Sequence, residues 1–198
     1  MISHSINKNN NFVAGWFIEN KSICDDIIDF FEKSPNKNPG KSSKGESWEE
    51  NISIKKSTDL FISKDIIKEN IIIKEYYDSL SKIIKEYKSI YEYCDKDKEL
   101  WGLQEGANIQ RYLPGEGYYE WHCERGGLKS SARHLVYMTY LNDVDDGGET
   151  EWYYQKIKIK PQKGLTIVWP SDWPFTHRGN TSKTQTKYIL TGWLNFLC

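Results

Sequence analysis

The chain has 198 residues, 27 of them basic and 28 acidic, for a formal net charge of −1 and a pI near 6.4. That balance leaves no electrostatic footprint for nucleic acid. A mean hydropathy of −0.71, with no apolar run near the roughly 20 residues a span needs, excludes a membrane helix, and MISHSINKNN lacks a signal-peptide core. A cytoplasmic protein of one domain is expected, its excess of Lys, Ile, Asn and Tyr matching an AT-rich microbial or viral genome.

In chain order, the first predicted element is a helix over residues 22–33 (SICDDIIDFFEK). Ser22 is its expected N-cap, and Ile23, Ile27, Phe30 and Phe31 share one face. Residues 34–51 carry Pro, Gly, Ser and charge without period and read as a long loop, either a mobile element near a site or a surface excursion. Between about 64 and 93, Ile73, Tyr77, Leu80, Ile84, Tyr87 and Tyr91 advance by fours and threes. This is one face of a long helix or of two consecutive ones, with DKDKE (95–99) as the polar exit. Beyond 100 the rhythm becomes strand-like over 106–112, 133–141, 156–160, 164–169 and 186–197, with Gly- and Pro-bearing turns between. A helical support over 1–100 and a β-sandwich or barrel over 101–198 is the expected division.

The four cysteines (Cys24, Cys94, Cys123, Cys198) are scattered and read as reduced thiols. Of the four histidines, His4 lies in a terminus expected to fray, and His134 opens a strand and reads as structural. His122-Cys123-Glu124 has the form H-x-E. In an extended segment residues i and i+2 face one side, so imidazole and carboxylate converge while Cys123 turns away. With 28 acids in the chain this spacing alone is common. His177 adds weight: it follows a strand ending at Trp169 and a Pro-containing turn. Two His and one carboxylate leave open positions on Fe(II), as in non-haem oxygenases. Zinc held by two His and one Glu is the competing assignment, although no H-E-x-x-H helix is present. Lys187, ten residues after His177, starts the next strand. A buried lysine there needs an anionic partner, which the distal carboxylate of 2-oxoglutarate supplies.

Residues 108–197 resemble the prolyl 4-hydroxylase branch of the 2-oxoglutarate oxygenases. The matching pieces are RYLPGEGYYEWHCE, R-x6-YLNDVDDGGETEW, IKPQKGLTIVWP, HRGN and K-x5-W, in that order. The resemblance implies a mainly β fold, a double-stranded β-helix (jelly-roll) barrel, with N-terminal helices packed on one sheet. It implies Fe(II) on His122, Glu124 and His177, and O2 with 2-oxoglutarate as co-substrates. Lys187 would pair with the far carboxylate of 2-oxoglutarate, Tyr112 and Thr150 would donate hydroxyls to it, and Trp193 would line its pocket; ascorbate is the implied reductant. Tyr118 or Tyr119 would face a peptidyl substrate. The segment before His122 runs one residue longer than the usual pattern, so the matching Tyr is open. Glu124 stands where most relatives carry Asp; a carboxylate is retained, which favours hydroxylation over halogenation. Tyr118, Tyr119, Trp121, Trp152, Trp169 and Trp173 are candidates for an aromatic groove suited to proline rings, or else for barrel filler. A peptide or protein substrate is expected, with a small molecule or nucleoside as the alternative. A jelly-roll binding module without chemistry and a zinc hydrolase are the other classes open.

Overall fold

A computed structural model describes residues 1–44, 47–96 and 99–197. The chain opens with β1 (Ile2–Ser3) and β2 (Ala14–Phe17), joined by a 3-10 turn. His4 Nδ1 accepts from the Ile6 amide at 3.2 Å, so His4 caps that turn instead of fraying. Helix α1 (Ser22–Lys33) has the expected limits and buries Ile23, Ile27 and Phe31. Its cap differs, because Ser22 is already helical. Asn20 Oδ1 accepts from the Ser22 amide and hydroxyl at 3.2 and 2.7 Å.

The segment read as a loop contains β3 (Asn38–Pro39) and a hairpin of β4 (Ser42–Lys44) and β5 (Ser47–Glu49); its positions 45 and 46 lie outside the described residues. β6 (Lys55–Lys56) and β7 (Thr58–Ile62) follow. The helical periodicity after 64 divides into α2 (Lys64–Glu69) and α3 (Ile71–Ile90). Asn70 makes the break: its backbone is extended and its Oδ1 accepts from the Ile72 and Ile73 amides, capping the second helix. The predicted polar exit includes residues 97 and 98, outside the described set.

The second half supplies β8 (Trp101–Gly102), β9 (Ala107–Tyr112), β10 (Gly117–His122), β11 (Arg133–Tyr140), β12 (Thr150–Trp152), β13 (Ile157–Ile159), β14 (Leu165–Pro170), β15 (His177–Gly179) and β16 (Lys187–Phe196). Pairing is antiparallel throughout. The large sheet runs β1-β2-β14-β11-β16-β9-β7-β3, with β8 also on β16, and the small one β13-β12-β15-β10-β6.

Alternation along β11 sets the layers. Leu135 and Tyr137 pack with the buried faces of α1 and α3, whereas Val136, Met138 and Tyr140 pack with Trp152 and Ile159 of the small sheet. Helices, large sheet and small sheet therefore stack in that order, the double-stranded β-helix expected, although the two sheets do not close into one barrel. Tyr76 and Tyr77 of α3 tie the layers together through hydroxyl contacts to Thr139 (2.8 Å) and Tyr137 (2.7 Å). One expectation needs correcting: the first hundred residues are not only helical, because β1, β2, β3 and β7 extend the large sheet and β6 the small one. β1, β3 and β6 have only two residues each and β2 is almost wholly buried, so they lack the period-2 signal of a half-exposed strand, whereas β7 alternates over Leu60, Phe61 and Ile62.

Candidate active site

β10 and β15 lie side by side in the small sheet, with His122 opposite His177 and Tyr118 opposite Gly179. Four residues of β10 thus span two of β15, an irregularity in the ladder just before the site. Glu124 follows β10, its amide and that of Arg125 held by the Ser171 carbonyl at 3.1 and 2.9 Å.

Glu124 Oε1 lies 3.6 Å from His122 Nε2 and 3.5 Å from His177 Nε2, and one ligand atom of each residue falls within 4.8 Å of the others. The imidazole Nδ1 atoms face backbone carbonyls, Glu120 O at 3.0 Å and Phe175 O at 2.9 Å. A carbonyl only accepts, so each Nδ1 carries the proton and each Nε2 presents a lone pair. Burial and the neighbouring His177 push the His122 pKa down, towards the neutral ring. Two imidazole Nε2 lone pairs and a carboxylate oxygen, all acceptors, thus converge on one point. That arrangement asks for a cation, and two His with one carboxylate suit Fe(II). Cys123 is a free, half-buried thiol outside this group.

Lys187, at the start of β16, is 4% exposed. Its Nζ donates to the carbonyls of Gly148 (2.9 Å) and Asn180 (3.3 Å) and lies 4.8 Å from the centre of the Tyr112 ring. Burial pulls its pKa down to about 8, with the charge of Glu149 acting weakly the other way. A Cβ placed on Gly179 would sit 3.7 Å from Lys187 Nζ. Gly179 is two residues along β15 from His177, so the ammonium lies roughly 7 Å along the strand from the metal-binding group, at about 3.3 Å per residue. A short dicarboxylate reaches across that interval.

The remaining candidates separate. Tyr118 stacks on His122, with ring centroids 3.7 Å apart and planes 11° from parallel, so it is the tyrosine facing the site. Tyr119 instead donates its hydroxyl to the Gly115 carbonyl at 3.0 Å. Thr150 is buried on β12 opposite Gly179, and its Oγ1 accepts from Tyr140 at 2.7 Å. Trp193 Nε1 donates to Glu124 Oε2 at 3.0 Å, a contact with a metal-binding candidate that the sequence did not reveal. Trp152 and Trp169 are buried against each other and against His177; they are filler, not groove. Trp121, Tyr153, Tyr154 and Trp173 form an outer chain of edge-to-face rings, with Trp173 64% exposed. His134 is structural as expected, its Nε2 at 2.9 Å from the Cys94 carbonyl.

Sequence reasoning missed the neighbours of Tyr112. Its hydroxyl donates to Gln110 Oε1 at 2.7 Å, Gln110 Nε2 donates to Asp59 Oδ2 at 3.1 Å, and buried Lys55 donates to the same oxygen at 2.5 Å. Because the Asp59 carboxylate only accepts, the amide orientation is forced, and Tyr112 must give its single proton to Gln110. The one available sequence signal was Gln110 alternating with Tyr112 on one face of β9; Asp59 and Lys55 lie some fifty residues away with no motif.

Residues 107–195 match the sequence model of the 2OG-Fe(II) oxygenase superfamily. Among curated proteins, no relative matches the sequence. Among solved structures, the chain is similar to a viral collagen prolyl hydroxylase from Paramecium bursaria Chlorella virus-1 in its 2OG complex. That match has 22% identity and a TM-score of 0.60, covering 96% of this chain and 98% of that one. It is also similar to a Pseudomonas putida prolyl-4-hydroxylase (14% identity, TM-score 0.69, 94% of each chain). A third is a Trichoplax adhaerens prolyl hydroxylase in complex with a hypoxia inducible factor oxygen degradation domain peptide fragment (17% identity, TM-score 0.72, 95% and 85%). The second half of the chain thus resembles the 2OG-Fe(II) oxygenase superfamily in sequence, and the whole chain carries the fold of these prolyl hydroxylases.

Proposed function

We propose that this chain, acting as one unit over residues 1–198, is an Fe(II)- and 2-oxoglutarate-dependent dioxygenase that hydroxylates prolyl or other residues of a peptide or protein. The observation that carries the reading is the pairing of two features: three convergent acceptors at His122, Glu124 and His177, and a buried ammonium at Lys187 whose partners are carbonyls. A zinc hydrolase would use the first and leave the second unexplained.

The bound iron and co-substrate would supply the oxidising chemistry: 2-oxoglutarate and O2 yield succinate and CO2, and the second oxygen atom enters a substrate C–H bond. The rest falls to the protein. His122 and His177 hold their Nε2 lone pairs inward through their Nδ1 hydrogen bonds. Lys187 neutralises the far carboxylate of the co-substrate, and Gly179 leaves room beside its Nζ. Trp152 and Trp169 wall the site with apolar rings and keep water from His177. Tyr118, stacked on His122, presents its ring where a substrate enters.

A peptide substrate is favoured by the named neighbours, one of them solved with a peptide fragment. The test is succinate release by the iron-loaded protein against proline-containing peptides, free amino acids and nucleosides, with mass spectrometry of each candidate substrate. We expect 2-oxoglutarate-dependent succinate only with proline peptides, which gain one oxygen atom. Turnover with a nucleoside or a free amino acid alone would move the enzyme to the small-molecule class.

A further inference from the structure

Each oxygen of Glu124 has its own surroundings. Oε1 faces the two imidazoles. Oε2 turns the other way, accepting from Trp193 Nε1 at 3.0 Å, with Arg133 NH1 3.5 Å off; the same NH1 donates to the Glu124 carbonyl at 3.0 Å. Arg133 has little freedom to leave. Its guanidinium lies 3.6 Å from the centre of the Trp193 ring, its Nε and NH2 grip Glu105 at 2.9 and 2.8 Å, and its side chain is 8% exposed. Asn195 Nδ2 holds Glu105 in turn at 2.7 Å. Trp193 and Asn195 alternate along one face of β16, and Arg133 pairs with Asn195 across the ladder, so these three members of the clamp stand on paired strands of the large sheet, with Glu105 in the bend before β9.

We propose that Trp193 and Arg133 are positioning residues that fix Glu124 as a one-oxygen ligand, and that this clamp is what lets the longer carboxylate serve in the site. The inference rests on reading His122, Glu124 and His177 as the metal group. A glutamate has one more rotatable bond than an aspartate and can swing to offer both oxygens. Doing so would consume a coordination position that a chelating keto acid requires. Holding Oε2 on an indole N–H leaves Oε1 alone towards the histidines. Partners of ligating carboxylates commonly govern affinity by about 10- to 100-fold. A shorter aspartate could not face the histidines and reach Trp193 together, so the clamp and the extra methylene belong to one another.

The experiment is a double-mutant cycle on the full chain, read as Mn(II) affinity by calorimetry without co-substrate, so that no turnover enters. Trp193→Phe keeps an aromatic ring near Arg133 and removes the N–H together with the rest of the five-membered ring. We expect it to weaken Mn(II) binding about 10-fold or more. In a Glu124→Asp background the same change should matter by less than about 2-fold, since there is no contact left to lose. Wild-type affinity in Trp193→Phe, or equal weakening in both backgrounds, overturns the clamp; the second result marks a merely structural residue. Should Trp193→Phe fail to fold, benzothienylalanine at 193 replaces the N–H with sulfur in the same ring frame and is held to the same outcomes. His177→Ala separates the underlying reading: wild-type Mn(II) affinity in that variant would remove the metal site itself.

Discussion

Lys187 is the residue at which stability and ligand binding oppose each other. A buried ammonium facing only carbonyls is a cost until an anion arrives. Its pKa falls from 10.5 to about 8 on folding, so between about pH 8 and 10.5 the unfolded chain binds the extra proton and stability of the ligand-free protein rises with pH. Binding of a carboxylate needs the charged form and weakens through the same window. Thermal shifts with Mn(II) and 2-oxoglutarate should therefore shrink from pH 7 to pH 9.5, and Lys187→Met should abolish that dependence. The Met variant should also lose 2-oxoglutarate affinity on the order of 100-fold, as for a deleted partner of a buried charge, while remaining at least as stable as the parent. A Met variant that binds 2-oxoglutarate normally would show the anchor to be elsewhere. Tyr112 gives the contrasting case. With its proton committed to Gln110 it has none for a carboxylate. Tyr112→Phe should change 2-oxoglutarate affinity little yet cost about 1–3 kcal/mol, because Gln110 Oε1 loses its donor. A large loss of co-substrate affinity with unchanged unfolding would restore Tyr112 as a direct donor. The meeting of His122, Glu124 and His177 was anticipated from the ordered motifs around them, since the H-x-E spacing alone is common. The Asp59–Gln110–Tyr112 relay and the Glu124–Trp193 bond were not, since each is made only when distant strands meet.

At the scale of elements, α3 is fastened to the large sheet by hydroxyl pairs as well as by apolar contact. Tyr77 meets Tyr137 over Gly192, where an added Cβ would overlap the Tyr137 hydroxyl. Gly192→Ala should therefore lift the helix from the sheet and destabilise by about 1–3 kcal/mol in denaturant unfolding, the usual cost of overpacking. Metal affinity should be unchanged, as Tyr137 faces the helices while Val136 and Met138 face the site. Unaltered unfolding would mean that the tyrosine pair does not hold the layers. The two main helices could be read from periodicity, because each has one buried and one exposed face, and the long strands from their aromatic and β-branched runs between Gly- and Pro-bearing turns. The strands of the first hundred residues could not: Ala14–Phe17 lies almost wholly buried, and Lys55–Lys56 is only two residues long. Asn70 was an available stop signal inside the helical run, an N-cap residue that divides a pattern periodicity alone would continue.

For the whole molecule, the jelly roll places histidines of two neighbouring strands opposite each other, and the strand spacing sets the lysine a few ångströms further along. The motif order foretold the layered fold; the open seam between the sheets and the outer row of aromatic rings depend on packing that no motif records. The most direct measurement is an anaerobic titration of the apo protein with Fe(II) in the presence and absence of 2-oxoglutarate, following the visible charge-transfer absorption of the chelated co-substrate. The account predicts a band that saturates at one iron per chain, requires 2-oxoglutarate, disappears in His177→Ala and needs far more co-substrate in Lys187→Met. Fe(II) binding that is indifferent to 2-oxoglutarate, with no band at any concentration, would contradict it.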